Sequence, residues 1–234
     1  MSTLALSPPP MVAPLPTIVY ATRPGGKTID QDEFGGNPFA TALLDVSERP
    51  NLPLRRLLPA LRSLTLERSG RFQNPTWDLS PDATPWKFPF EPGSRNEARM
   101  ALVLVVSDYS ASQVPALEGA ACDERRVSAM LAHHGFTVTQ GITPTREKML
   151  VALREFSRRS ASSDVAVIYS TGHGVESGGN TYVLPGDYPI RLGCSAQLLR
   201  AHAIPVSKLA KSCRANAVNL AFFAGCRTSI DHER

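Results

Sequence analysis

The stretch AVIYSTGHGVESGGN, residues 166–180, joins an apolar run to a glycine-rich turn that holds a single histidine. The run Val165 to Ser170 reads as a strand covered on both faces, the pattern of a parallel sheet. In open α/β sheets the chemistry sits just beyond the carboxyl ends of such strands. His173 falls there, and Gly172 and Gly174 let the backbone come close to a bound ligand. A turn histidine without a chemical task fits the same letters, so the rest of the chain has to decide.

Around this stretch the texture is alternating strand and helix. Ala101–Val106 is a second buried strand. Residues 120–134 form a helix with Val127, Met130, Leu131 and His134 on one face, closed by Gly135. Phe136–Val138 is a short strand. Thr143 and Pro144 open the next helix as cap and first residue, with Met149, Leu150, Leu153 and Phe156 inward. A helix over 205–212 precedes a last strand at 217–223. The β-α-β-α order predicts a parallel sheet with helices on both faces.

The N-terminal part differs. Residues 1–16 are Pro-rich and read as an extended arm. Thr17–Thr22 is a short strand, stopped at Pro24-Gly25-Gly26. Residues 37–48 and 53–69 are helical. In the second, Leu54, Leu57, Leu58, Leu61 and Leu64 make one stripe and Pro59 is a candidate kink. Residues 71–98 are rich in Pro, Asp, Asn and Trp, with an edge strand expected at Trp86–Phe90.

Composition narrows the function classes. With 234 residues, 42% of them hydrophobic, the chain can bury one large core. It has no apolar run of membrane-spanning length, and its first residues lack the basic and apolar regions of a secretory signal. Cys122, Cys194, Cys213 and Cys226 show no zinc-type spacing, so reduced thiols and a cytoplasmic location are expected. The net charge is +4, but the cations are scattered along the sequence, which argues against a nucleic-acid partner. Among folds of this class a nucleotide binder needs a Gly-rich phosphate loop after a strand, and none occurs.

The final strand ends in Ala224-Gly225-Cys226-Arg227, so a second reactive residue follows a second buried strand, 53 positions after His173. If those strands are neighbours, thiol and imidazole meet at one sheet edge. That pairing suits nucleophilic catalysis: the thiolate attacks a carbonyl and the imidazole protonates the leaving amine. The alternative for Cys226 is a small buried hydrophobe.

Residues 100–227 resemble the large-subunit half of caspase and metacaspase peptidases. The likeness rests on ALVLVVSDY (101–109), DERRVSAMLAHHGF (123–136), YSTGHG (169–174), YVLPGD (182–187) and AGCR (224–227). The histidine also lies about fifty residues before the cysteine, as in that family. The resemblance implies a three-layer α/β fold with a mostly parallel six-stranded sheet, one antiparallel edge strand, and helices on both faces. It makes His173 and Cys226 the catalytic dyad, and the backbone N–H groups of Gly174 and Cys226 the oxyanion donors.

IVYATRPGGKTID…GGNPFATALL (18–44) and FQNPTWDLS (72–80) resemble pieces of the family's small-subunit half, which elsewhere follows the cysteine. Their position implies circular permutation. After the 1–16 arm, residues 17–234 form a single peptidase domain, with a small-subunit-like half at 17–90, a linker at 91–99 and a large-subunit-like half at 100–234. The linker reaches about 30 Å when extended, against roughly 19 Å for four strand spacings.

In metacaspases and paracaspases, which cut after Arg or Lys, the specificity pocket is acidic, and the matching positions are Asp30 and Asp123. The family's third acid is replaced by Ala224. As ordinary residues, Asp123 would sit at a helix N-terminus and Asp30 in a turn. The expected activity is therefore hydrolysis of a protein or peptide after a basic residue, with a regulatory partner protein as a further expectation and no membrane partner. No cofactor is expected, and no cluster of ligands specific for calcium supports calcium dependence. The rival is a non-catalytic scaffold or sensor that keeps the fold.

Overall fold

The computed structural model describes residues 13–49, 51–81, 87–88, 97–110, 114–142 and 144–230. The N-terminal part contains β1 (Thr17–Tyr20), α1 (Pro38–Ser47), β2 (Leu52–Pro53), α2 (Leu54–Arg68), β3 (Thr76–Asp78) and β4 (Lys87–Phe88). The alternating part follows with β5 (Arg99–Val105), α3 (Glu118–His133), β6 (Thr137–Ile142), α4 (Arg146–Ser160) and β7 (Val165–Thr171). The chain continues through β8 (Gly174–Ser177), β9 (Asn180–Val183), α5 (Ala196–His202), β10 (Ile204–Pro205), α6 (Val206–Lys211), β11 (Val218–Phe223) and β12 (Thr228–Ser229).

The main sheet has the order β3-β1-β11-β7-β5-β6. All its pairings are parallel except β1 with β3 at one edge. Period-two side-chain alternation divides the core between the two faces. Val165, Val167 and Tyr169 of β7 pack on the face of α1, α2 and α3, with Phe39, Leu43, Leu57 and Val127. Ala166 and Ile168 face the other side, with Met149, Leu153 and Phe156 of α4 and Leu209 of α6. These layers make the mixed α/β architecture that the resemblance implies.

Several local expectations change. The α4 cap is Thr145, whose hydroxyl accepts from the Lys148 N–H, while the Pro144 carbonyl accepts from Gly186. Pro144 is thus tied to the loop after β9 and stays outside the helix; Thr143 lies outside the described residues. The expected edge strand reduces to Lys87–Phe88, which pairs with Leu52–Pro53 and takes no place in the main sheet; Trp86 and Phe90 lie outside the described residues. The edge role falls to Thr76–Asp78. Pro59 leaves α2 continuous from Leu54 to Arg68. The strand expected at 136–138 runs from Thr137 to Ile142, because its backbone pairs along the length of β5. His134 is half-buried against His133 instead of lying in the core. The Pro-rich arm over 1–12 and linker residues 91–96 lie outside the described residues.

Candidate active site

Strand register brings the two reactive residues together. β7 and β11 are parallel neighbours with Ser170 opposite Phe223. His173 and Cys226 each lie three residues beyond that pair, so they leave the sheet side by side at its carboxyl edge. Neighbouring strands are about 4.8 Å apart.

Glycines make the close approach possible. Gly172 has φ +144°, and a Cβ there would lie 2.9 Å from the Tyr109 hydroxyl. A Cβ on Gly174 would lie 2.4 Å from the Cys226 carbonyl oxygen and 2.6 Å from the Phe223 ring. A larger residue at Gly174 presses on the Cys226 strand end, and one at Gly172 presses on Tyr109 and Val106.

The imidazole is held by its backbone and by Tyr109. The fully buried Tyr109 hydroxyl accepts from the His173 N–H at 2.9 Å and donates to the Leu184 carbonyl at 2.9 Å. The two rings lie with centroids 4.5 Å apart. Burial pushes the His173 pKa below the usual histidine range, opposed by the charge of Asp30, so the ring is neutral at neutral pH. His173 Nε2 is buried and has no hydrogen-bond partner.

The thiol is approached from the N-terminal part of the chain. The Thr28 N–H donates to Cys226 Sγ at 3.3 Å, and the Thr28 hydroxyl lies 3.4 Å from the same sulphur. Thr28 is placed by a clamp on its neighbour Ile29. The Ile29 N–H donates to Gln73 Oε1 at 2.9 Å, and Asn37 Nδ2 donates to the Ile29 carbonyl at 2.7 Å. Both clamp residues are buried, and Asn37 Oδ1 also caps α1 through the Phe39 N–H. The loop after β1 is further tied to β11 and the residues beyond it by Ala21 N–H to Phe223 O and Arg227 N–H to Gly26 O.

The two expected pocket acids occupy different environments. Asp30 is half-buried, and its Oδ2 accepts from the Gly119 N–H at 3.1 Å, so it caps α3, which has no side-chain cap of its own. Asp123 has no exposed surface and lies inside the helix, not at its first turn. It accepts from the Tyr169 hydroxyl and the Asn37 N–H, both at 3.1 Å, beneath Gly36. Burial pushes the Asp123 carboxyl up to about 8, partly offset by the Tyr169 and Asn37 hydrogen bonds and the Arg126 charge. Asp30 and Asp123 are close enough to repel each other, and Ala224 between the strand ends is buried.

That shift has a sign. A carboxyl that holds its proton in the folded state and loses it near pH 4 when unfolded favours unfolding as pH rises from about 4 to about 8. The expected slope is up to about 1.4 kcal/mol per pH unit. Asp123→Asn should flatten it, which urea unfolding between pH 5 and 7.5 will measure.

Sequence reading did not single out Thr28, Asn37, Tyr109 or Arg227 as site residues, and it used Gln73 only for the resemblance. Asn37 before Pro38 has the pattern of a helix cap, but nothing local says that Asn37 and Gln73 meet the backbone of Ile29. None of the four cysteines forms a disulfide. Among the described residues no three His, Cys, Asp or Glu side chains are grouped to hold a metal. No helix among them is long and apolar enough to cross a membrane.

A family model described as the caspase domain, peptidase family C14, matches residues 98–233, which include both His173 and Cys226. A search of the curated proteins found no match to the chain. With more than half of its length matched, over the strands that carry both residues, this protein belongs to the caspase domain family of cysteine peptidases.

Proposed function

We propose that the protein is an endopeptidase of metacaspase or paracaspase type that cuts proteins after Arg or Lys with a Cys226–His173 dyad. The observation that carries this reading is the equal displacement of both residues beyond a paired register, with His173 Nε2 buried and unpartnered beside the strand end that bears the thiol. A buried polar atom without a partner costs stability, which is reasonable where a reacting group completes it.

In this reading His173 takes the Cys226 thiol proton as the sulphur attacks the scissile carbonyl carbon, and then passes that proton to the leaving amine. Water then hydrolyses the thioester, with His173 taking its proton and returning it to the departing sulphur. The Leu184 N–H donates to the His173 carbonyl, so Gly174 and Val183 form a non-hydrogen-bonded pair of the antiparallel ladder. The Gly174 N–H is therefore directed away from β9, toward the strand that follows Cys226, which suits an oxyanion donor together with the Cys226 N–H. The Thr28 N–H and hydroxyl hold the sulphur, and His173 Nε2 makes no hydrogen bond to it.

Basic specificity rests on Asp30 and Asp123. Asp30 is the accessible carboxylate of the two, while Asp123 is covered and protonated until a cation approaches. Asp30→Asn keeps an oxygen for capping α3 and removes only the charge. It is expected to lower kcat/KM on Arg substrates by about 10–100-fold, the range of one charge-assisted hydrogen bond, and Asp123→Asn by less. A random-peptide cleavage profile tests this; dominance of Asp before the scissile bond would sink the basic pocket.

The swapped order of the halves reads as circular permutation. Its support is the place of β1, parallel beside β11, and of β3 as the antiparallel edge strand, both drawn from residues before the caspase-domain match.

A further inference from the structure

Away from the dyad, α4 and α6 enclose an open groove of about 500 Å³. Leu150 and Leu153 line it, with Arg154, Arg158, Lys208 and Arg214 around them. A second depression of about 210 Å³ continues past Leu150 and Lys208, which both share. It adds Arg146 and Arg200 and reaches Tyr182, Ile204 and Pro205 of the small sheet.

Six cations thus surround one apolar trough, and among the described residues none of the chain's 21 carboxylates lines it. None of the six makes an ion pair among the described residues, and Arg146 Nε is buried without a hydrogen-bond partner. The nearest acids lie to the sides. Asp187 accepts from the Arg146 backbone N–H, and Glu147 and Glu155 line the other flank of α4 beside Lys148 and Arg159. The sequence expectation that Leu150 points fully inward also changes here: it is only half-buried and forms part of the trough.

We infer that this groove is a docking site for an acidic, amphipathic segment of a partner protein. Like charges gathered without counter-charges raise the local potential and suppress cationic partners, while apolar positions between them supply anchor contacts. From Arg146 to Ala161 the stripe along α4 is roughly 22 Å long, at about 1.5 Å per residue. That length matches about four turns of a helix laid in the groove, with leucine-like anchors at i, i+4 and i+7 and carboxylates at the rim. One end of the groove rests on β9, whose neighbour β8 begins directly after His173. A docked segment would therefore lie against the sheet that continues from the catalytic turn, as expected for a regulatory or substrate-tethering partner.

The test uses the full chain with Cys226→Ala, so that it does not depend on peptidase activity. The probe is a fluorescein-labelled peptide of about sixteen residues, with Leu at the anchor positions and Glu at the flanking ones, followed by anisotropy. Binding should weaken at least tenfold in Arg154→Glu/Arg158→Glu and several-fold when salt rises from about 50 to 300 mM. Replacing the peptide leucines by Ser should also abolish it. The pair Lys148→Glu/Arg159→Glu makes the same charge change on the other flank of α4 and should shift the affinity less than about twofold. Equal losses in the two pairs would reveal nonspecific charge attraction and overturn the proposal. So would failure of the peptide to bind, or tighter groove-dependent binding of oligouridine or of phosphatidylserine vesicles.

Discussion

Cys226→Ala is expected to abolish peptide hydrolysis and covalent labelling by a peptidyl electrophile, and His173→Ala to lower kcat/KM at least ~1,000-fold. Both losses should come without unfolding. Cys226 and His173 are partly exposed and lie beyond the strand ends, outside both hydrophobic clusters. Truncating either side chain therefore opens no core cavity, and thermal stability should stay within about 2 kcal/mol of the parent. His173→Ala also removes the buried, unpartnered Nε2, which offsets part of the lost ring packing on Tyr109. Turnover surviving in Cys226→Ala would show that the thiol is not the nucleophile. A folded protein that never labels at Cys226 would favour the scaffold reading instead.

Arg227→Ala should behave in the opposite way, with stability falling first and activity following. Arg227 stands next to Cys226, yet its side chain turns inward and is 9% exposed. Its guanidinium pairs with Glu176 at 3.0 Å through Nη2 and again through Nε, which also reaches Thr181 at 3.1 Å. Nη1 reaches Thr76 of β3 at 3.3 Å, and the guanidinium carbon stacks 4.1 Å from the centre of the Tyr20 ring in β1. One side chain thus joins β8, β9, β1 and β3 around the residue that follows Cys226. Removing it leaves the mostly covered Glu176 carboxylate without its cation, a change that costs up to about 3 kcal/mol, the low end for a buried pair. Arg227→Lys keeps the charge but loses the planar fork, and should recover only part of that. Urea unfolding of the three proteins measures the effect; a loss below about 1 kcal/mol for Arg227→Ala would mean that the pair is solvent-screened.

Much of the framework is determined by local sequence. The run at 165–170 reads as a strand covered on both faces, and Asn37-Pro38 and Gly135 mark helix ends by chemistry that needs no distant partner. The spacing of His173 and Cys226 behind two such strands is likewise visible in the chain, because parallel strands of similar length deliver their ends to one edge. What the sequence leaves open is anything decided by contact between remote segments. Thr28 reaches the thiol only because Gln73 and Asn37 grip Ile29 from two other parts of the chain. Asp30 caps α3 across 89 positions, and burial under Tyr169 turns Asp123 from a surface acid into one that keeps its proton. Six of the 25 cations that look scattered along the sequence gather around one groove, because helical periodicity places Arg154 and Arg158 on the same face and packing brings Lys208 and Arg214 up to it. Periodicity and turn chemistry act over a few residues and can be read from the chain; desolvation and charge neighbourhood exist only after it has folded.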